Sequence, residues 1–227
     1  MLLAIDTSTR YAGVALAAEG RVVTLRSWFS AVNHTAELMP AIAECLRSQG
    51  LCAGDLSGVA VALGPGGFSA LRVGVSVAKG LAMTAGKPLV GVGSLDLEAC
   101  PYLESGLPVC VLLDAGRQEV ASAQFGPDGR RTREDVICPP QALFEAVSQP
   151  TLFCGEGLET WAQTIKDGLG ALAVVVKPVP SSRLWSLLEM GGQMLDAGEA
   201  DDLATLQPNY LRMPSIGGPK RRDRVRQ

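Results

Sequence analysis

Two aspartates end short apolar runs in this chain. Asp6 closes "LLAID" and is followed by Thr7 and Ser8; Asp114 closes "VCVLLD" and is followed by "AGR". A carboxylate at a strand end beside hydroxyls can hold a Mg²⁺–phosphate pair, or act as general base in phosphoryl transfer. A third stretch, "GPGGFSAL", places Gly66 and Gly67 just before a helix. The free N–H groups of such a helix start favour anions. Asp6, Thr7, Ser8, Gly66, Gly67 and Asp114 are therefore candidate phosphate-binding residues. The alternative is structural: a tight turn closing a buried strand–helix unit. Neither G-x-x-x-x-G-K-[ST] nor G-x-G-x-x-G is present.

Other chemistries lack their parts. The chain has one histidine, His34, and a metal site needs several converging ligands. "GFSAL" is not a nucleophile elbow, and no histidine stands in a usual triad order. "SVAK", Ser76 to Lys79, has the S-x-x-K spacing but no S-D-N or K-T-G companion. Neither a metal nor another cofactor is expected in the chain itself. Twenty basic and 23 acidic residues give a net charge of -3 over 227 residues, which argues against a stand-alone nucleic-acid binder. The exception is the tail, residues 217–227, where five basic residues stand against Asp223; it is expected to be disordered and solvated. Six cysteines without a C-x-x-C pair, and an N-terminus that reaches Asp6 too soon for a signal peptide, fit a reduced, cytoplasmic chain. No apolar run is long enough to span a membrane.

The elements that would position these residues fall into two similar halves. "LLAI" reads as a strand, and "YAGVALAAEGRVVTLRSW" as a hairpin around Gly20. Residues 36–49 read as a helix: Leu38, Ile42, Cys45 and Leu46 form one apolar face, Asn33 or Thr35 caps its start, Gly50 ends it and Pro40 falls in the first turn. "LSGVAVAL" is a buried strand, residues 69–85 a helix and "PLVGV" a strand. "VCVLLDAGRQEVASAQFGPDGRR" then repeats the strand-and-hairpin pattern, with Asp114 to Gly129 spaced nearly as Asp6 to Gly20. This suggests a duplicated lobe. Helices are expected at 141–147, 157–167 and 183–197, with "TLFCGEG" a strand ending in a glycine loop. The expected division is 1–100 and 101–216.

Taken together, "LLAIDTST", "HTAELMP", "VALGPGGFSALRVGVSVAKGLA", "KPLVGVGSLDLEA", "LLDAGRQEV" and "QPNYLR" resemble, in order and spacing, the bacterial TsaB (YeaZ) family of the tRNA threonylcarbamoyladenosine pathway. The resemblance is dense over the first 100 residues and thin between about 126 and 200. It implies an α/β fold of two lobes, the actin-like or Hsp70-like ATPase (ASKHA) fold with a duplicated, mixed-sheet core. It implies pairing with a catalytic paralogue, TsaD, which transfers threonylcarbamoyl to N6 of adenosine 37 in tRNA, and a third component, the ATPase TsaE. tRNA would be met through the complex. In the paralogue a histidine pair holds a metal; the matching positions here are Ser94 and Glu98, a poor ligand set.

The helix at 69–85 is apolar on two sides, so both need cover. Gly74, Ala78 and Ala82 make a small-residue stripe open to another helix, while Val73, Val77 and Leu81 are expected to face the chain's own sheet. The resemblance implies that the first two helices make the partner contact. The candidate partner-binding residues are His34, Leu38, Met39, Ile42, Leu71, Val75, Ala78 and Lys79, and without the partner the same patch could form a homodimer. Arg72 or Lys79 could also reach an anion at the junction. The expected function is a non-catalytic partner subunit. The alternative is a stand-alone ATP-dependent enzyme of the same fold, a small-molecule kinase or protease-like, using Asp6 and Asp114.

Overall fold

The computed structural model describes residues 1–30 and 33–212, so the basic tail lies outside the described residues. The elements run β1 (Leu2–Asp6), β2 (Tyr11–Ala18), β3 (Arg21–Phe29), α1 (His34–Ser48), β4 (Gly58–Gly64), α2 (Phe68–Ala85), β5 (Leu89–Gly93) and α3 (Ser94–Ala99). They continue with β6 (Val109–Gly116), β7 (Glu119–Phe125), β8 (Arg131–Cys138), β9 (Thr151–Cys154), α4 (Leu158–Leu169), β10 (Ala173–Val175) and α5 (Ser182–Asp196).

Local chemistry sets most of these limits. The β2–β3 turn uses Glu19 and Gly20 at φ 48° and 73°, the left-handed pair that two-residue hairpins need. At the start of α1 the Asn33 carbonyl accepts from the N–H groups of Ala36 and Glu37, and no side-chain cap is made. Pro40 lies inside α1, not in its first turn, because the helix starts at His34. It sits on the exposed face, where the carbonyl that loses its N–H partner is not sealed from solvent. Gly86, at φ 62°, ends α2 and donates to carbonyls of its last turn.

The strands form two five-stranded sheets, ordered β3-β2-β1-β4-β5 and β8-β7-β6-β9-β10. In each, the first three strands are antiparallel and the last three parallel, so the second sheet repeats the first, as the paired hairpins suggest. The expected helix at 141–147 is instead a 3₁₀ turn, Pro140–Ala146. Its start on Pro139 and Pro140 denies two N–H groups to an α-helical ladder in a very short segment.

Each sheet is covered on both faces. On the first, α1 and α2 pack through Leu38, Ile42, Val75 and Ala78 on Leu3, Ile5, Val59 and Val61. On its other face α5 brings Leu184, Leu187 and Leu188 onto Ala4, Ala15, Ala60 and Val90. The first lobe thus takes an outer layer from beyond residue 180: the apolar face of α5 matches the first sheet. Helix α3 is wedged between lobes, with Leu97 in the first core and Leu95 and Ala99 in the second. Among the described residues, no helix is long and apolar enough to cross a membrane.

Candidate functional site

A cleft of about 760 Å³ separates the lobes, lined by Thr9, Tyr11, Phe68, Asp114, Glu156 and Tyr210 among others. Asp114 faces it as an exposed residue, its Oδ1 taken by the Gly116 N–H at 2.8 Å. Asp6 does not. It is 1% exposed, and its Oδ1 accepts from both the N–H and the hydroxyl of Ser8, at 2.8 and 2.6 Å.

The other Asp6 oxygen is taken by Arg183, whose side chain is fully buried. Arg183 Nε donates to Asp6 Oδ2 at 2.6 Å, and Nη1 donates to Glu98 Oε1 at 2.6 Å and to Glu156 Oε1. Nη2 donates to Thr9 Oγ1 at 2.8 Å and to the Tyr11 carbonyl at 3.0 Å. A guanidinium has five N–H groups, and here five bonds use them. Burial works against the Arg183 charge, but Asp6, Glu98 and Glu156 outweigh it and hold the group protonated. One guanidinium cannot neutralise three carboxylates. Burial accordingly pushes the carboxyls of Glu98 and Glu156 above the usual range, and the pull of Arg183 only partly offsets it.

The remaining phosphate candidates also have internal partners. The Thr7 hydroxyl donates to the Ala70 carbonyl at 2.7 Å, and the Gly67 N–H to the Ser8 carbonyl at 2.9 Å. Gly66 is required by close approach: a Cβ there would lie 2.0 Å from the Ser8 carbonyl oxygen. The structure therefore brings Asp6, Thr7, Ser8, Gly66 and Gly67 together as a β1-loop-to-α2 junction bonded to itself, with Asp114 across the cleft.

Positions 94 and 98, aligned by the resemblance with metal-binding histidines, are both buried. Ser94 Oγ has no hydrogen-bond partner, and Glu98 is bound to Arg183. A hydroxyl and an arginine-paired carboxylate do not fit a metal. Among the described residues there is no cluster of three His, Cys, Asp or Glu suited to one.

The partner candidates divide sharply. Leu38, Ile42, Leu71, Val75 and Ala78 are in the core, at most 4% exposed, which puts them out of reach of a second protein. His34 is buried, its Nε2 3.2 Å from the Thr9 carbonyl. Lys79 donates to the Leu206 carbonyl at 3.1 Å, and Arg72 Nε to the Tyr210 hydroxyl at 3.1 Å, so both cations expected at an anion are engaged within the chain. Met39 is 46% exposed. The faces of α2 are the reverse of the expectation: the Gly74–Ala78–Ala82 stripe lies against the chain's own sheet. Val73, Val77 and Leu81 are half-buried on the outer edge, and Met83 is exposed. With Ala36, Met39, Pro40 and Ala43 of the adjacent α1, they make an outward face of small and apolar side chains.

Two features escaped the sequence reading. Arg183 had a signal: a lone charge in "SSRLWSLL", on the apolar face of its helix. The other is a strap, residues 201–212. The Gly91 N–H donates to Asp201 Oδ2 at 2.7 Å and Asn209 N–H to the Leu63 carbonyl at 2.7 Å. Tyr210 stacks on Phe68 with centroids 4.8 Å apart, and Arg212 bonds Glu119 in the second lobe.

The model of the TsaD family, described as tRNA N6-adenosine threonylcarbamoyltransferase, matches residues 29–159. The tRNA threonylcarbamoyladenosine biosynthesis protein TsaB of Bacillus subtilis is 29% identical over 222 residues, covering 93% of this chain and 94% of that one. Among solved structures, a Pseudomonas aeruginosa protein described as similar to the peptidase YeaZ superposes with TM-score 0.77 at 27% identity, covering 93% of this chain and 99% of that one. The Clostridium difficile activator of 2-hydroxyisocaproyl-CoA dehydratase superposes with TM-score 0.53 at 9% identity, over 88% of this chain and 98% of that one.

Proposed function

The chain belongs to the TsaD family of tRNA threonylcarbamoyltransferases, in its TsaB (YeaZ) branch with the actin-like ATPase fold, and on that premise we propose that it is a non-catalytic subunit in tRNA threonylcarbamoyladenosine synthesis. Its partner is a TsaD-type transferase. A TsaE-type ATPase completes the assembly, and tRNA is met through the complex.

The observation that carries the non-catalytic reading is the Asp6–Arg183 pair. A phosphoryl-transfer site needs its carboxylate free to meet Mg²⁺ or a substrate hydroxyl. Asp6 is sealed, bonded to Ser8 and Arg183, and absent from the cleft lining. The aspartates therefore do not share the cleft that a kinase would use.

The partner contact lies on the outward face of α1 and α2, centred on Met39, Val77 and Met83 rather than on the buried residues between them. An apolar face on two adjacent helices is the kind of patch that marks a protein interface. The test is reconstitution of the modification on unmodified tRNA with and without this chain, in parallel with Mg²⁺–ATP calorimetry on the chain alone. Loss of modification when the chain is omitted, with no ATP binding by the isolated chain, supports the reading. Full modification without it, or one-to-one ATP binding by the chain alone, contradicts it.

A further inference from the structure

The basic tail is a motif that the function above leaves unused, and the described residues show where it is rooted. Residues 217–227 hold five basic residues against Asp223, in a chain whose 20 basic and 23 acidic residues lean the other way as a whole. The strap leads to it. Asn209 N–H is bonded to the Leu63 carbonyl and Tyr210 is stacked on Phe68. Arg212 Nη1 donates to the Ala115 carbonyl at 3.4 Å and its Nη2 to Glu119. Arg212, the last described residue, therefore sits at the lobe junction, where it lines the cleft with Arg10. We propose that the tail and the arginines around its root form an RNA-contacting surface, which grips the phosphate backbone of the tRNA that the complex modifies. The choice of tRNA rests on the partner-subunit reading; the contact with RNA does not.

Two observations point to a nucleic-acid backbone. The first is the setting of the root. Arg10, Arg72 and Arg117 are exposed, and among the described residues none of the three forms an ion pair. Arg117 is on the β6–β7 turn, between Ala115 and Glu119, the two residues that hold Arg212, and Arg72 holds Tyr210. Cations without carboxylate partners, at the point where a basic tail departs, add to its field, and a field of this sign attracts a polyanion. The second is the chemistry of the tail. Four of its five basic residues are arginines, whose planar fork matches phosphate oxygens. Val225 is its one large apolar side chain, so it has no lipid-inserting group to second its charge. Asp114, Glu156 and Glu159 also line the cleft. They keep a phosphate chain out of it, so the contact runs over the rim and the tail.

The test titrates labelled, unmodified tRNA with the full chain, as wild type and as a tail variant combining Lys220→Gln, Arg221→Gln, Arg222→Gln, Arg224→Gln and Arg226→Gln. Fluorescence anisotropy follows binding over a range of salt concentrations, first with the isolated chain and then with the chain paired to the TsaD-type transferase. Wild-type affinity should fall steeply with salt. The tail variant alters no described residue and should melt as wild type does. It should bind at least ~10-fold more weakly and lose about 3–4 from the log–log salt slope, a little under one for each phosphate contact removed. Arg10→Gln combined with Arg117→Gln should weaken binding by a smaller factor. Vesicles of phosphatidylcholine and phosphatidylserine should not distinguish wild type from the tail variant. Equal tRNA affinity and salt slope for the two would overturn the proposal. Vesicle capture that the five substitutions abolish would overturn it in favour of a lipid surface, and loss of co-elution with the transferase in the tail variant would overturn it in favour of a protein contact. Failure of wild type itself to pair with the transferase would overturn the partner-subunit reading, while the isolated-chain titration decides the tail by itself.

Discussion

A Cβ on Gly74 would lie 2.3 Å from the hydroxyl oxygen of Thr7. That one relationship fixes which way α2 faces. The helix sits against the β1 loop so closely that only glycine fits, and the Thr7 hydroxyl in turn donates to the Ala70 carbonyl one turn earlier. The small residues of this helix serve approach to its own lobe, and the larger valines and leucine remain at the rim.

Gly74→Ala should therefore destabilise the fold by about 1–3 kcal/mol, the usual cost of forcing atoms into a filled contact. Chemical denaturation with Gly80→Ala as control checks this, because a Cβ at Gly80 meets nothing within 4 Å. Equal stabilities for the two variants would contradict the packing described.

Glu98 and Glu156 give a pH signature. Both carboxyls have folded-state pKa values above their unfolded values, with burial as the main cause. The folded protein then binds protons more tightly than the unfolded chain, and stability from these two groups falls as pH rises through that window. Their penalty is fully present above the folded pKa values and fades as pH drops toward the ordinary glutamate value of 4.5. Glu98→Gln, which mimics the protonated acid, should reduce the difference in melting temperature between about pH 5.5 and about pH 7.5. An unchanged pH profile in the variant would count against the buried, under-neutralised cluster.

The strap makes a separate prediction. Tyr210 stacks on Phe68 and accepts from Arg72, whose guanidinium lies 4.0 Å from the Phe68 ring centre. Tyr210→Ala should cost about 1–2 kcal/mol, the sum expected for an aromatic pair and one hydrogen bond. Hydrogen exchange should rise at Asn209, whose N–H bonds the Leu63 carbonyl. Protection unchanged at that amide would show that the strap is held by other contacts.

Much of the fold can be read from the chain because its cues are local. Apolar runs ending at Asp6 and Asp114 mark matching strands, and Gly20 and Gly129 mark matching hairpins. The orientation of α2 cannot be read in this way. A stripe of glycine and alanine is compatible with close approach to either a partner or the chain's own sheet, and only the position of Thr7 decides between them. Arg183 and Glu156 are 27 residues apart and meet only once both lobes are built. Helix α3 is six residues long, too short to display a period. The pairing of Glu98 with Arg183 is likewise a product of tertiary packing, and no pattern around either residue announces the other.

The reversed orientation of α2 changes how the partner surface must be probed. Ala78→Glu buries a charge in the core at a fully enclosed site, so it should unfold the chain whether or not a partner exists. Met39→Glu places the charge on the outward face, where Met39 is 46% exposed. The most direct measurement is size-exclusion co-elution of folded Met39→Glu with the TsaD-type transferase subunit, with wild type alongside. The prediction is a variant that melts within about 1 kcal/mol of wild type and no longer co-elutes with the transferase. A folded Met39→Glu that still forms the complex and supports tRNA modification would contradict the assignment of the α1–α2 face to the partner.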